Sequence, residues 1–129
     1  MQDINLYSFE KKEKVTGKNR IDNLFENGSS FVSYPLRVVY FKENIQPESE
    51  SLISVMVSIP KKRIKLSVRR NRLKRLVREA YRQNKSRLYD YCLENGIRCD
   101  IAFVYLKDEI VDYENIRKSV VKALETIMK

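Results

Sequence analysis

Histidine is absent from the 129-residue sequence. Because histidine is the commonest metal ligand and general base near neutral pH, its absence removes the usual means of activating a serine or cysteine nucleophile. Metal-dependent hydrolysis would instead need a cluster of carboxylates. The candidates fall mostly on predicted loops and helix starts: Glu43, Glu48, Glu50, Asp108, Glu109, Asp112 and Glu114. This distribution is typical of turns and helix caps, so we expect no catalytic residue and no metal site in this chain.

Cysteine and long apolar segments are also scarce. The two cysteines, Cys92 and Cys99, lack the C-x-x-C spacing of metal and redox sites, so we expect free thiols that fill space near a helix end and a strand. The N-terminal residues contain no apolar segment of the kind found in signal peptides, and no apolar run approaches the length of a membrane-spanning helix. We therefore expect a soluble, cytoplasmic protein that has no membrane partner.

Acidic residues are almost missing from one segment, residues 61–85. The segment contains twelve basic residues and a single acid, Glu79, so its net charge is +11. The whole chain carries +9, which leaves about −2 for the remaining residues. Positive charge concentrated in this way is the electrostatic footprint of a polyanion site. An ordinary solvated helix face would interleave basic residues with glutamate for pairing, and this segment does not.

The same segment predicts an amphipathic helix from Val68 onward. At about 100° per residue, one face collects the apolar side chains Leu73, Leu76, Val77 and Ala80. Ser67 is the expected N-cap, because a serine hydroxyl can accept from a backbone N–H of the first turn. Between Arg69 and Arg82 arginine outnumbers lysine six to one. Since the planar guanidinium holds phosphate oxygens bidentately and stacks on bases, the segment predicts a nucleic-acid-binding helix.

The rest of the chain predicts a single domain over residues 1–129, with a polar lead-in at residues 1–15. Gly28 is expected to end a first helix in the left-handed conformation, and Asp112 to cap the last helix. The element order indicates an α+β fold, a two-layer α/β sandwich with helices packed on one side of a small mixed sheet. Strands are expected within residues 29–42, 52–59 and 98–106, and helices at 16–27, from 68 through 91 and from 112 to about 128.

A longer motif lies within the basic segment, where Arg70-Asn71-Arg72 is followed by Lys74-Arg75, Arg78-Glu79 and Arg82. The spacing R-N-R-x-K-R-x-x-R-E-x-x-R resembles the RNR signature of the bacterial ribonuclease P protein family, and the resemblance extends over roughly residues 8 to 128. Where that family often has a glycine and an alanine before the helix, this chain has Lys65, Leu66 and Ser67. The resemblance implies an α/β sandwich like the second domain of a small-subunit ribosomal protein, with a left-handed crossover around the signature helix.

By this resemblance the chain is the protein subunit of ribonuclease P, the ribonucleoprotein that removes the 5′ leader from precursor tRNA. In that enzyme the RNA subunit is the catalyst and Mg²⁺ acts through the RNA and the substrate, while the protein neutralises phosphate charge and contacts the leader. The implied partners are ribonuclease P RNA and precursor tRNA, with no DNA. Glu79 is expected to orient Arg75, one turn away. The implied RNA-binding residues are Lys61, Lys62, Arg63, Arg69, Arg70, Asn71, Arg72, Lys74, Arg75, Arg78 and Arg82.

The family binds the single-stranded leader in a cleft between the first helix and the sheet, where aromatic rings stack on unpaired bases. At the position of Ile21 the family often has an aromatic residue. The alternative for each aromatic candidate is a place in the core, and the alternative for Asn71 is a hydrogen bond to backbone at the helix start. The implied cleft residues are Phe25, Arg37 and Phe41, with Phe31 and Tyr34 in the loop between.

The residues alone leave other function classes open. A ribosomal or RNA-chaperone protein would carry the same basic helix. A DNA-binding protein would usually add a closely spaced partner helix, which the sequence lacks. Comparing the affinities for structured RNA and duplex DNA at one salt concentration separates these two classes. A stand-alone nuclease is excluded if the purified protein leaves precursor tRNA intact in the absence of any other RNA.

Overall fold

The computed structural model describes residues 18–45 and 51–129. The expected lead-in at residues 1–15 lies outside these ranges. Within them, the four strands form one mixed sheet in the order β1-β2-β4-β3, with β3 parallel to β4 and the other neighbours antiparallel. The α+β prediction is therefore confirmed, and the hand of the crossover stays a prediction. The elements are α1 (Lys18–Asn27), β1 (Ser29–Ser33), β2 (Leu36–Asn44), β3 (Ile53–Ser58), α2 (Ser67–Asn84), α3 (Ser86–Asn95), β4 (Ile97–Tyr105) and α4 (Tyr113–Ile127).

The main core lies between one face of the sheet and the helices α2, α3 and α4. Alternate residues of each strand point to this face, as period-2 alternation requires. They pack against the apolar stripes of the three helices, and fully burying one such side chain contributes about 1.5–3 kcal/mol. The cluster includes Val38, Val55, Ile101 and Phe103 from the sheet and Leu73, Val77, Leu88, Ile116 and Val120 from the helices.

Helix α1 lies on the opposite face of the sheet. Its Leu24 is fully buried in a small second cluster with Val39 of β2 and Ala102 of β4. The expectation that helices cover only one side was therefore wrong for α1. The reason is that β2 and β4 also carry apolar residues, Val39 and Ala102, on their second face, and these need cover.

Residues 29–42 form two strands where the sequence predicted one. Strands β1 and β2 make an antiparallel hairpin in which Ser33 pairs with Leu36. The turn between them is Tyr34-Pro35, with a cis peptide bond. Proline cannot donate to a strand ladder, so the chain turns at Pro35 instead of continuing.

The ends of the helices test three of the predictions. Asp112 caps α4, since its carboxylate accepts from the backbone N–H of Asn115 at 3.1 Å. The predicted break at Asn95-Gly96 is also confirmed, because Gly96 ends α3 with a φ of 63°. The predicted helix from 68 through 91 is two helices, which meet at the buried Lys85.

Gly28 ends α1 for a different reason from the one predicted. Among the described residues Gly96 alone has a positive φ, so Gly28 is not left-handed. A Cβ atom on Gly28 would lie 2.4 Å from the carbonyl oxygen of Leu24 and 2.8 Å from that of Tyr40. Glycine is needed here because there is no room for a Cβ between the last turn of α1 and β2, and not because of a positive φ.

We expect Gly28→Ala to lower the free energy of unfolding by about 1–3 kcal/mol, since two backbone oxygens must move to admit the methyl group. Urea denaturation followed by circular dichroism measures the loss. Gly96→Ala is the control, because a Cβ there meets nothing within 4 Å and only the positive φ is strained, a cost of roughly 1 kcal/mol. A loss at Gly28 no larger than the loss at Gly96 would contradict the close-approach explanation.

Candidate nucleic-acid interface

Helix α2 has one buried face and one basic face, as predicted. Its buried residues are Leu73, Val77, Ala80 and Tyr81, and the helix packs on α4 and β3. Leu76, predicted for the same stripe, is half-buried and packs at the edge of the core. The buried stripe fixes the rotation of the helix, and this rotation determines which basic side chains face solvent.

The start of α2 differs from the prediction. The N-cap is Leu66, in an extended conformation, and Ser67 is the first helical residue instead of the cap. Arg70 provides a different link at this point, because its Nη1 donates to the carbonyl oxygens of Ile64 at 3.0 Å and Lys65 at 2.6 Å. The side chain of Arg70 therefore ties the preceding basic loop to the helix.

The RNA-binding residues predicted on α2 differ in exposure. Arg69, Asn71, Arg72 and Arg75 are exposed, whereas the other members of the signature are half-buried. Asn71 points to solvent. The half-buried members are Arg70, Lys74, Arg78 and Arg82.

Glu79 pairs with Arg82, not with Arg75 as expected. Arg82 Nε donates to Glu79 Oε2 at 2.9 Å, and Gln83 Nε2 donates to Glu79 Oε1 at 2.9 Å. The hydrogen bond from Arg82 lowers the pKa of the Glu79 carboxyl below its ordinary value. At i,i+3 spacing Arg82 lies on the same side of the helix as Glu79, so it can pair with the Glu79 carboxylate in place of Arg75. The single acid of the segment thus offsets the charge at the C-terminal end of α2 and leaves Arg75 to solvent.

The loop before α2 carries the second predicted basic cluster. Lys61 and Lys62 are exposed, and Ile64 is buried and anchors the loop to the core. Arg63 forms an exposed ion pair with Asp108, at 3.3 Å between Nη1 and Oδ1. Two lysines and the exposed residues of α2 therefore form one continuous stretch of chain without an acid from 61 to 78. We call Lys61, Lys62, Arg69, Asn71, Arg72 and Arg75 the α2 basic surface.

The predicted cleft residues lie on the α1 side of the sheet. Phe25 of α1 is 41% exposed, and Arg37 of β2 is exposed. Phe41 is on the same face of β2 as Arg37, but it is partly buried beside the cluster of Leu24 and Val39. Ile21 is half-buried. Phe25 and Arg37 are therefore the cleft candidates with accessible side chains.

The two aromatic residues considered for the loop are placed differently. Phe31 pairs with Val38 in the strand register and packs against the main core, with its ring edge-to-face on Tyr40 at 5.8 Å. It therefore belongs to the opposite side from Arg37, and the core alternative holds for it. Tyr34, in the hairpin turn, is 63% exposed.

A buried ionic network on the α1 side was not predicted. The Asp100 carboxylate of β4 accepts from Arg98 Nη2 at 2.8 Å and from Arg20 Nη2 of α1 at 2.9 Å. Arg98 also bonds Glu43 at 2.9 Å, and Ser54 accepts from Arg20 at 2.8 Å. The side chains of Arg98 and Asp100 are only 6% and 3% exposed.

The network ties α1 to strands β2, β3 and β4 on the α1 side of the sheet, beneath the predicted cleft. Burial raises the pKa of the Asp100 carboxyl, and the Arg20 guanidinium opposes that rise. Sequence contained one signal of this network: Arg98 and Asp100 alternate with apolar residues at the start of a buried strand, so both must face the same side. Buried charges require partners, and Arg20 was not identified as one because it lies 80 positions away from Asp100.

The cysteines behave as predicted. Cys92 and Cys99 are free and buried. Burial raises the pKa of the Cys92 thiol to about 11 and raises that of Cys99 even further. Within the described ranges, no three acidic or cysteine side chains are grouped so that they could hold a metal ion. No helix in the described part of the chain combines the length and apolarity that a bilayer crossing requires.

Comparison with known proteins assigns this arrangement to a family. The model of the family described as Ribonuclease P matches residues 9–128. The chain is 41% identical over 118 residues to a ribonuclease P protein component of Porphyromonas gingivalis, covering 92% of this chain and 85% of the relative. It is 31% identical over 135 residues to that of Chlorobium phaeobacteroides, covering 98% and 92%.

Solved structures agree with the fold. The ribonuclease P protein of Thermotoga maritima superposes with a TM-score of 0.68 at 23% identity, covering 88% of this chain and 96% of that one. The protein from Staphylococcus aureus also gives 0.68, at 18% identity, covering 89% and 94%. The chain belongs to the ribonuclease P protein family, whose members are subunits of an RNA-based endoribonuclease.

Proposed function

We propose that the α2 basic surface binds the RNA subunit of ribonuclease P and that the cleft beside α1 binds the 5′ leader of precursor tRNA. The observation that carries the first part is the rotation of α2. Its buried stripe is locked into the core, and Arg69, Arg72 and Arg75 are all exposed on a stretch without acids. Like charges held together in this way repel each other, and a polyanion relieves that repulsion.

Arginine suits a folded RNA partner. Each guanidinium offers a planar pair of N–H donors to phosphate oxygens, and such contacts read backbone position and shape more than sequence. Half-buried Lys74 and Arg78 extend the same surface towards the core. Arg63 and Arg82 are each paired with a carboxylate, so part of their positive charge is already offset. Lys61 and Lys62 are exposed and can contact phosphates directly.

The cleft suits a flexible single strand. Phe25 presents an accessible ring and Arg37 an accessible guanidinium on the same side of the sheet. A ring stacks on any unpaired base, and a guanidinium holds the backbone phosphate, so the site needs no sequence preference. The Arg20–Asp100 pair holds α1 against the sheet floor and so sets the width of the cleft.

The chemical step belongs to the RNA in this proposal. Mg²⁺ would be held by the RNA subunit and the substrate. Several carboxylates in the described part of the chain, which a metal ion would need as ligands, are already paired with arginine. Asp100 is bonded to two guanidinium groups, Glu79 to Arg82, and Glu114 to Arg117 at 3.1 Å. The protein acts by positioning and charge neutralisation, in the cytoplasm where precursor tRNA is processed.

We expect Phe25→Ala combined with Arg37→Ala to weaken binding of precursor tRNA to the reconstituted enzyme by at least about tenfold, since one stacking contact is worth about 1–3 kcal/mol and one phosphate contact is lost as well. Binding of mature tRNA, which has no leader, should not change. Equilibrium titration of labelled RNAs at one salt concentration measures both.

The matched control is Arg87→Ala combined with Leu93→Ala. Both residues are exposed on α3, so the control removes the same charge and a similar apolar area. It should bind both RNAs as the unmodified protein does. If the cleft variant lost affinity equally for mature tRNA, the cleft would not be a leader site.

A further inference from the structure

A pocket of about 580 Å³ lies at the hairpin end of the sheet, outside both proposed surfaces. It is formed by the β1–β2 turn, the residues just after β4 and one side of α4. Its volume falls in the range of about 300–1,000 Å³ typical of ligand sites. The side chains that matter most for its chemistry are Val32, Tyr34, Lys107, Lys118 and Lys122.

Hydrogen bonds between distant segments hold the floor of this pocket. Ser33 Oγ donates to the carbonyl oxygen of Ser119 at 2.8 Å, and the Ser119 hydroxyl donates back to the carbonyl oxygen of Ser33. Both serines are 4% exposed. The backbone N–H of Leu106 donates to the carbonyl oxygen of Pro35 at 2.8 Å. The turn, the end of β4 and α4 are therefore fixed relative to one another.

The pocket is positively charged. Three lysines line it, and none of the described lining residues is acidic. Lys118 and Lys122 are both exposed and stand one helical turn apart on α4. The acid nearest to them in the preceding turn, Glu114, is paired with Arg117. An anion is therefore the ligand that this pocket favours.

An exposed aromatic ring stands beside these lysines. Tyr34 is 63% exposed and Val32 is 60% exposed, and a ring held in the open at a tight turn is available to stack on an unpaired base. Lysines next to an accessible ring are the combination that single-stranded nucleic acid requires. Free phosphate or an acidic peptide would not use the ring.

The pocket lies against α4, on the opposite face of the sheet from the proposed leader cleft, and the two meet around the β1 edge. Val32 is the register partner of Arg37, so it lies on the Arg37 face of the sheet, yet it also lines the pocket. Arg37 and Tyr34 are three positions apart along the hairpin. A strand of RNA that follows β2 from Phe41 to Arg37 therefore reaches the turn and then Tyr34.

We propose that this pocket binds a distal part of the single-stranded leader of precursor tRNA, beyond the nucleotides held in the cleft. Lys118 and Lys122 contact its phosphates, and Tyr34 stacks on a base. The proposal rests on the leader function of the cleft. If the proposal holds, the lysines of α4 strengthen substrate binding only when the leader is long, because a short leader ends before it reaches the hairpin.

The experiment uses the full-length protein reconstituted with ribonuclease P RNA, and precursor tRNAs that carry either a long leader or a leader truncated to span only the cleft. We expect Lys118→Gln combined with Lys122→Gln to weaken binding of the long-leader substrate about tenfold near 0.15 M salt, and to reduce the magnitude of its salt slope by about 1.4. Binding of the short-leader substrate should not change. Lys118→Arg combined with Lys122→Arg keeps the charge and should restore long-leader binding.

Tyr34 provides a second, independent measurement. Tyr34→Ala should weaken long-leader binding about tenfold by loss of stacking, whereas Tyr34→Phe keeps the ring and should bind normally. Circular dichroism of each variant establishes that it is folded.

Two outcomes overturn the proposal in different ways. If the lysine variant weakens both substrates equally, or weakens assembly with ribonuclease P RNA alone, the pocket contacts the RNA subunit and not the leader. If the lysine variant binds both substrates normally while Phe25→Ala combined with Arg37→Ala weakens both, the cleft is the whole leader site. If Phe25→Ala combined with Arg37→Ala binds both substrates normally, the proposed leader function of the cleft is itself wrong.

Discussion

Arg72→Ala combined with Arg75→Ala should weaken binding to ribonuclease P RNA on the order of 30-fold near 0.15 M salt. The estimate follows from two lost phosphate contacts, each of which contributes about 0.9 to the salt slope for a duplex-like RNA. Both side chains are exposed on the acid-free side of α2, so their removal leaves the core untouched. The salt slope should therefore fall by about 2 while the melting temperature stays the same.

Filter binding of labelled ribonuclease P RNA over a series of salt concentrations measures this effect. The same variant should lose most of the protein's help in cleavage of precursor tRNA at low Mg²⁺. Arg87→Ala combined with Lys129→Ala removes two exposed charges elsewhere and should bind almost normally. Equal losses in the two variants would mean that overall charge, and not the α2 basic surface, determines the affinity.

Arg72→Lys combined with Arg75→Lys separates charge from geometry. Lysine keeps the positive charge but lacks the planar fork, so an intermediate affinity is expected if bidentate phosphate contacts matter. Full recovery by lysine would indicate that charge alone suffices.

Asp100→Ala should lower the free energy of unfolding by about 3–5 kcal/mol, because the buried Arg98 guanidinium loses the more deeply buried of its two carboxylate partners and Arg20 loses its carboxylate partner as well. The Arg98 side chain is only 6% exposed, so water has little access to replace the lost carboxylate. Since small domains are stable by only about 5–15 kcal/mol, such a loss removes a large share of the total. The variant also leaves Arg20 with Ser54 as its remaining partner, which should loosen the contact between α1 and the sheet.

Asp108→Ala is the matched control for this prediction. Its ion pair with Arg63 is exposed, with 71% of the Asp108 side chain accessible. Exposed pairs contribute at most about 1 kcal/mol, so urea denaturation should show a small change. Asp100→Asn, which keeps an oxygen acceptor, should fall between the two. Similar losses in the free energy of unfolding for Asp100→Ala and Asp108→Ala would show that burial does not make the ionic network more stabilising than an exposed ion pair.

The basic helix could be predicted because its information is local. The period of Leu73, Val77 and Ala80 fixes the buried stripe, and the charges around it are visible in the same stretch of sequence. The first residue of the helix was harder to predict. Ser67 does not cap the helix, and the side chain of Arg70 instead links the helix to the preceding loop.

The cleft floor could not be predicted because its contacts are non-local. Arg20 meets Asp100 across 80 positions, and nothing in the local pattern of either segment selects the other. The same holds in part for Gly28. A Cβ there would meet the carbonyl oxygen of Leu24, which is local, and also that of Tyr40 on a neighbouring strand, which is not. In both cases the residue is needed because of how α1 packs on the sheet, and the hydrophobic periodicity of the sequence does not show that packing.

The strand order has a consequence for synthesis. β4 lies between β2 and β3 in the sheet although the ribosome makes it after both. The whole of α2 therefore emerges before the strand that joins the two parts of the sheet exists. Pairing β3 with β4 must also wait until the chain between them is ordered, since long-range contacts form late. A nascent chain that ends before Ile97 thus carries the full positive charge of α2 with no completed sheet beneath it. Helix α4, on which α2 packs, is added only after Tyr105.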